Sequence, residues 1–224
     1  MEQQIIRRLK LSMLLAMILP TMLFADDNKS VAVTLLDKAV EAIKADVGVQ
    51  MDFTYEFSDA NGDVHVTYKG FFCVDNCPEN KDIQLYTLQM QQMKIWCNGK
   101  KQWNYMAQTN EVYLTAANSD EAQSLSPLYL MQLYKSGDYN CSADAKSGNS
   151  VVTLTSANEE TEFNKIFVTL DTKTLHLERI TLVDRDGNSI GIVINAYKSN
   201  CKFESHMFEF PANEYSDAEL IDMQ

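Results

Sequence analysis

The 224-residue chain carries 31 acidic against 19 basic residues, a formal charge of −12 with histidine neutral. A surface this acidic repels phosphate backbones and anionic headgroups, which argues against nucleic acid and firm membrane binding and leaves basic partner patches open. The length gives room for one substantial domain with a core or cavity of useful size.

At the start of the chain, Arg7, Arg8 and Lys10 precede an apolar run from Leu11 to Phe24, with the small Ala25 at its end. This is the pattern of a cleavable secretory signal over residues 1–25, and its apolar run is too short to favour a membrane-spanning helix. No cysteine lies near Ala25, so a lipid anchor is not expected there. Loss of three basic residues and one acidic residue with the signal takes the charge from −12 to −14. The remainder, 26–224, shows no linker, repeat or low-complexity tract and reads as one domain.

Val31, Leu35, Leu36, Ala39, Val40 and Ile43 recur at helical intervals from about Asn28 to Asp46, an amphipathic helix whose apolar stripe must cover something. Val49, Met51, Phe53, Tyr55 and Phe57 then alternate with polar residues, the cleanest strand in the chain. The turn from Asp59 to Asp63 reverses the chain into Val64, Val66 and Tyr68. It resembles a calcium loop, but the ligand spacing is wrong and Gly70 stands where a closing glutamate is needed, so a hairpin turn is expected.

A strand through Phe71 and Phe72, a loop containing Pro78, and a strand from Ile83 to Gln91 lead to a meander. Met93, Ile95 and Cys97 alternate with polar residues up to Asn98-Gly99, and Trp103 and Tyr105 alternate with Gln102 and Asn104 beyond it. Alternation broken by Asn-Gly predicts an antiparallel hairpin with one face turned from water. A third strand follows at Glu111 to Leu114. Ser126-Pro127, then Leu128 to Tyr134, predicts a short helix capped by serine, with proline in its first turn and Gly137 at its end. It is unusually apolar for its length, which makes it a candidate lid. Evenly spaced strands then run from Tyr139, including Val151 to Thr155, Lys165 to Leu170, Leu175 to Val183, Ser189 to Tyr197 and Lys202 to Phe210.

No constellation for chemistry is visible. Nothing around His65, His176 or His206 supplies a triad, the eight glycines form no phosphate-cradling loop, and the acidic pairs Glu159-Glu160 and Asp217-Glu219 lie in polar loops. An enzyme, a cofactor and a metal are all unexpected, the last because the histidines and cysteines show no ligand spacing. Asp184, Asp186 and Asn188 read as a hairpin turn. Of the five cysteines, Cys73 can bridge Cys77 or Cys97, and one must be left over within the chain.

In this order the elements resemble the periplasmic outer-membrane lipoprotein carriers, the LolA-like family. The features carrying the resemblance are Met51-Asp52-Phe53-Thr54-Tyr55 after the first helix, Gly70 opening a strand, the run from Cys97 to Tyr105, and Thr109-Asn110-Glu111-Val112. They continue with Ser126-Pro127-Leu128 and the closing Phe208-Glu209-Phe210-Pro211, with Asp222 near the end. The resemblance implies an α+β, mainly antiparallel fold: an unclosed half-barrel whose concave hydrophobic face is capped by helices. It also implies a carrier that takes lipoproteins from an inner-membrane releasing transporter, shields their acyl chains through the periplasm and delivers them to an outer-membrane receptor.

The candidate lining of the acyl-chain cavity is Met51, Phe53, Tyr55 and Phe57, with Ile95, Trp103 and Tyr105, plus Leu130, Met131 and Leu133 from the lid. Family members often carry an arginine after the second strand that bonds to the lid; the segment from Cys73 to Lys81 has none. Alternatives on the same fold are a regulator that senses a lipid or lipoprotein, and a paralogous carrier of another lipid.

Overall fold

A computed structural model describes residues 23–76, 84–117, 119, 127–146 and 149–224. Most of the expected signal, the Ser126 cap and Cys77 lie outside these residues. The helix α1, Leu23–Ala45, leads into a meander of β1 (Gly48–Ser58), β2 (Val64–Asn76), β3 (Gln84–Met90), β4 (Met93–Cys97), β5 (Lys101–Met106) and β6 (Glu111–Ala116). A single α-helical turn, α2 (Pro127–Leu130), and a 3-10 turn, Leu133–Ser136, come next. The chain continues through β7 (Tyr139–Lys146), β8 (Asn149–Ser156), β9 (Lys165–Asp171), β10 (Leu177–Val183), β11 (Ser189–Lys198) and a terminal β12 (Glu219–Asp222).

All twelve strands form one sheet in the order β12-β6-β5-β4-β3-β2-β1-β11-β10-β9-β8-β7. Every pairing but one is antiparallel, β12 lying parallel to β6. The outermost strands β12 and β7 do not meet, so the sheet is unclosed, as expected. Directly paired residues share a face, and the rows Tyr197-Met51-Phe72-Leu88-Ile95 and Leu154-Ile166-Leu182-Ile190-Phe57 run across it as a concave apolar surface. The long alternating strands make this face continuous because each contributes every second residue to it.

Helix α1 lies over the β7 and β8 end of that surface. Of the stripe read from the sequence, Leu36, Ala39, Val40 and Ile43 are buried in the core and Leu35 packs against it, whereas Val31 is exposed and Ala32 is buried in its place. Asn76 at the end of β2 donates to the carbonyls of Ile43 (2.7 Å) and Asp46 (3.0 Å), which satisfies the terminus of the helix and fixes where the chain enters β1.

The hairpin turns use their own polar groups. Asp59 accepts the amides of Asn61 and Asp63 and contacts His65 at 2.9 Å, so its carboxylate is consumed by the reversal. Asp184 accepts the amide and the side chain of Asn188 in the same manner. Asn98 accepts the amides of Lys100 and Lys101, with Gly99 at φ 80°. Gly70 sits inside β2 rather than opening it.

One expected strand is absent. Lys202 to Phe210 does not join the sheet; it leaves β11 and crosses its convex side as an irregular strap with a 3-10 turn at Ser205–Phe208. The glycine at position 48 permits this, since a Cβ there would lie 2.8 Å from both the Cys201 carbonyl oxygen and the Phe203 ring. The strap's apolar residues are used against the sheet, not in register with it.

Candidate ligand-binding cavity

On the concave side, between the sheet and α2, lies a cavity of about 360 Å³. Its floor is Met51, Phe53, Phe72 and Leu88, all buried, and its far wall is Ile190, Ile192 and Ile194 of β11. Met90, Met93 and Met106 line it along β3 to β5, and Pro127 and Leu130 of α2 close one side. Four methionines among the walls give a surface that can reshape itself around a flexible apolar guest. Space for the floor depends on one residue: a Cβ at Gly70 would come within 2.7 Å of the Phe53 ring and 2.6 Å of the Gln89 carbonyl oxygen.

Polar groups stand at the edge of this hollow. Tyr55 and Tyr68 stack with ring centroids 6.2 Å apart, and burial pushes the Tyr55 phenol above its ordinary range. Gln92 and the exposed Glu162 complete the polar part of the lining.

Of the ten lining residues expected from the sequence, Met51, Phe53, Tyr55 and Leu130 surround the cavity. Ile95 and Met131, 1% and 0% exposed, are packed into the core beneath it, and Leu133 flanks that core. Phe57 lies on the correct face but beyond the hollow, 6.5 Å from the His65 ring. Trp103 and Tyr105 are on the other side of the sheet. Trp103 pairs with Trp96 and Tyr105 with Lys94, whereas Ile95 pairs with Asn104. A hairpin loop with an even number of residues always sets an odd-numbered residue opposite an even-numbered one, so Ile95 and Trp103 cannot share a face in it.

Trp103 instead stacks on Phe210 (6.2 Å, 19°), and Tyr105 meets Tyr215 at 4.5 Å. Trp96, not singled out from the sequence, is wedged edge-on against both Phe210 and Tyr215. The concave side of β5 and β6 is correspondingly polar: Gln102, fully buried, accepts the Tyr86 hydroxyl and donates to Asn104 at 2.9 Å. Lining residues outside the expected set include Phe72, Leu88, Met90 and Met93 on β2 to β4 and Ile190, Ile192 and Ile194 on β11, whose alternation is present in the sequence.

The segment 127–136 is tied to α1 through Asp37. Tyr134, in the 3-10 turn after α2, donates its hydroxyl to Asp37 on α1, and Lys135 reaches the same carboxylate at 3.2 Å. The Tyr134 bond, with Lys135 behind it, holds the Asp37 carboxyl below the usual range against the opposing effect of burial.

Burial, with Cys201 and Asp52 nearby, pushes the Cys73 thiol up to about 12. Cys73 pairs across to Thr87 and so lies on the convex side, while Cys97 pairs with Tyr86 and Gln102 on the concave side. A bridge between Cys73 and Cys97 is therefore ruled out by the alternation of the strands.

The sequence profile of the outer membrane lipoprotein carrier protein LolA matches residues 79–188. No curated protein sequence matches the chain. Among solved structures, an uncharacterized conserved protein from Thermus thermophilus is 10% identical with a TM-score of 0.50, over 84% of this chain and 96% of its own. A DUF1329 family protein from Desulfovibrio piger is 11% identical with a TM-score of 0.48, over 83% and 98%. A LolA superfamily protein from Nitrosomonas europaea is 10% identical with a TM-score of 0.43, over 80% and 97%. Over residues 79–188 the chain is thus similar to the LolA carriers that its motifs resemble, and the Thermus structure shares its fold.

Proposed function

We propose that the chain is a non-catalytic periplasmic carrier that binds the acyl chains of lipoproteins in the concave cavity and shuttles them from the inner to the outer membrane. In this reading, residues 1–25 are its export signal, 26–224 its carrier domain, and its partners the releasing transporter and the outer-membrane receptor. The observation that carries the proposal is the hollow itself: an apolar space lined by methionines, aromatics and isoleucines, beneath a segment latched to α1 through a single carboxylate.

The physics of the task fits that site. Each methylene withdrawn from water is worth about 0.8 kcal/mol, so one long acyl chain left exposed costs on the order of 10 kcal/mol. A carrier must offset most of this and still release, which favours an adaptable lining over a rigid one. Incubating the purified protein with detergent-released lipoproteins, removing the detergent and running gel filtration tests the proposal. Lipoprotein eluting with the carrier is expected; lipoprotein found only in aggregates, with the carrier empty, would refute it.

A further inference from the structure

We propose that the cavity accepts a single acyl chain whose head is uncharged, an ester or an amide, and discriminates against free fatty acids and other anionic amphiphiles. This rests on the reading of the cavity as an acyl-chain site and adds its capacity and its selectivity. Capacity follows from size. A methylene fills about the space of one water molecule in the liquid, ~30 Å³, so a hollow of about 360 Å³ is filled by roughly a dozen. That is one chain of ordinary length, and a second would need the space over again.

Selectivity follows from charge. Among the described residues that line the cavity none is basic, and the one charged group is the Glu162 carboxylate, which is exposed at the edge. The strands forming the walls do carry cations, but alternation turns them all to the convex side. Lys69 sits opposite Thr54, Arg179 binds Glu56 at 3.0 Å, Lys198 lies 3.4 Å from Asp52, and Lys94 donates to the Tyr215 hydroxyl at 2.7 Å. A carboxylate head at the opening therefore meets Glu162 with no compensating charge among the described lining residues. A neutral ester or amide meets the Tyr55 and Tyr68 hydroxyls and Gln92, which can hydrogen-bond it without a charge penalty.

The test is displacement of Nile red from the purified full chain at pH 8 by monomyristoylglycerol, N-myristoylglycinamide and sodium myristate, each below its aggregation threshold, with bound chains counted by native mass spectrometry. The neutral probes are expected to displace the dye at roughly tenfold lower concentration than myristate, the size of effect one nearby like charge produces near a protein surface. Each is expected to bind at one chain per protein. If only one neutral probe succeeds, it identifies the ester or the amide as the recognised head. Glu162→Gln should narrow the gap and Glu162→Lys should reverse it; position 162 is exposed, so both variants are expected to fold. Myristate binding as well as the neutral probes, or two chains per protein, overturns this inference while leaving the carrier reading in place. Failure of the dye and all three probes to bind overturns both.

Discussion

The meander β4 to β6 has two faces, and the chain treats them in opposite ways. On the convex side, Trp96, Trp103 and Tyr105 are covered by the strap, with Phe210 and Tyr215 closing ring to ring at 4.5 to 6.2 Å. On the concave side, Met93 and Met106 look into space that no described side chain fills. Aromatics meet aromatics where the chain covers its own surface, and methionines line the face it leaves open. Burial alone does not separate a finished core from a binding surface; what separates them is whether the chain supplies the second half of the contact.

The largest expected effect breaks the filled side. Phe208, a residue of the strap itself, is 1% exposed and edge-on to Phe203, and anchors that cover. Phe208→Ala should cost about 3–5 kcal/mol in urea unfolding and leave dye affinity of the folded fraction unchanged, because the cavity is on the other face. Trp103→Glu belongs to the same class: it should lower stability and not cargo binding.

The next effect empties the open side of its purpose. Phe53→Glu puts a charge in the cavity floor and should weaken acyl-probe binding by at least ~tenfold, read by dye displacement with circular dichroism confirming the fold. Gly70→Ala should act more mildly, since the Phe53 ring must move to admit the methyl group. We expect a loss of about 1–3 kcal/mol together with reduced dye capacity, and a variant that keeps full capacity would show that the ring does not set the floor.

The smallest effect concerns the latch. Asp37 has its carboxyl depressed by Tyr134, so its contribution to stability is present above the ordinary aspartate range and lost as pH falls through the lowered value, below about pH 4. The pair is partly exposed, and Asp37→Asn should cost less than about 1 kcal/mol. Its clearer signature is local: faster amide exchange over residues 127–136 with the sheet unaffected.

The sheet was legible because its signals are local. Alternation in β1 and β11, Asn98-Gly99, and the turns at Asp59 and Asp184 each fix a strand or a reversal without reference to anything distant. The cavity was half legible. Met51, Phe53 and Tyr55 announce the buried face of β1, yet nothing local says that their face stays hollow. Trp103 and Tyr105 fall on the face opposite Ile95 because the even-numbered loop between β4 and β5 inverts the parity, a constraint that alternation within one strand does not carry. The strap over 202–210 has the composition of a strand, and only its long-range partners, Trp96 and Trp103, decide that it crosses the sheet. The Tyr134 to Asp37 bond spans 97 residues and has no sequence signature.

The most direct measurement of the central claim uses methionine methyl groups as reporters in nuclear magnetic resonance. With ¹³C-methyl methionine in the chain, adding N-myristoylglycinamide should shift the resonances of Met51, Met90, Met93 and Met106, which line the hollow, and leave Met207 and Met223 in place. Those four resonances unmoved at a saturating probe concentration would contradict the account.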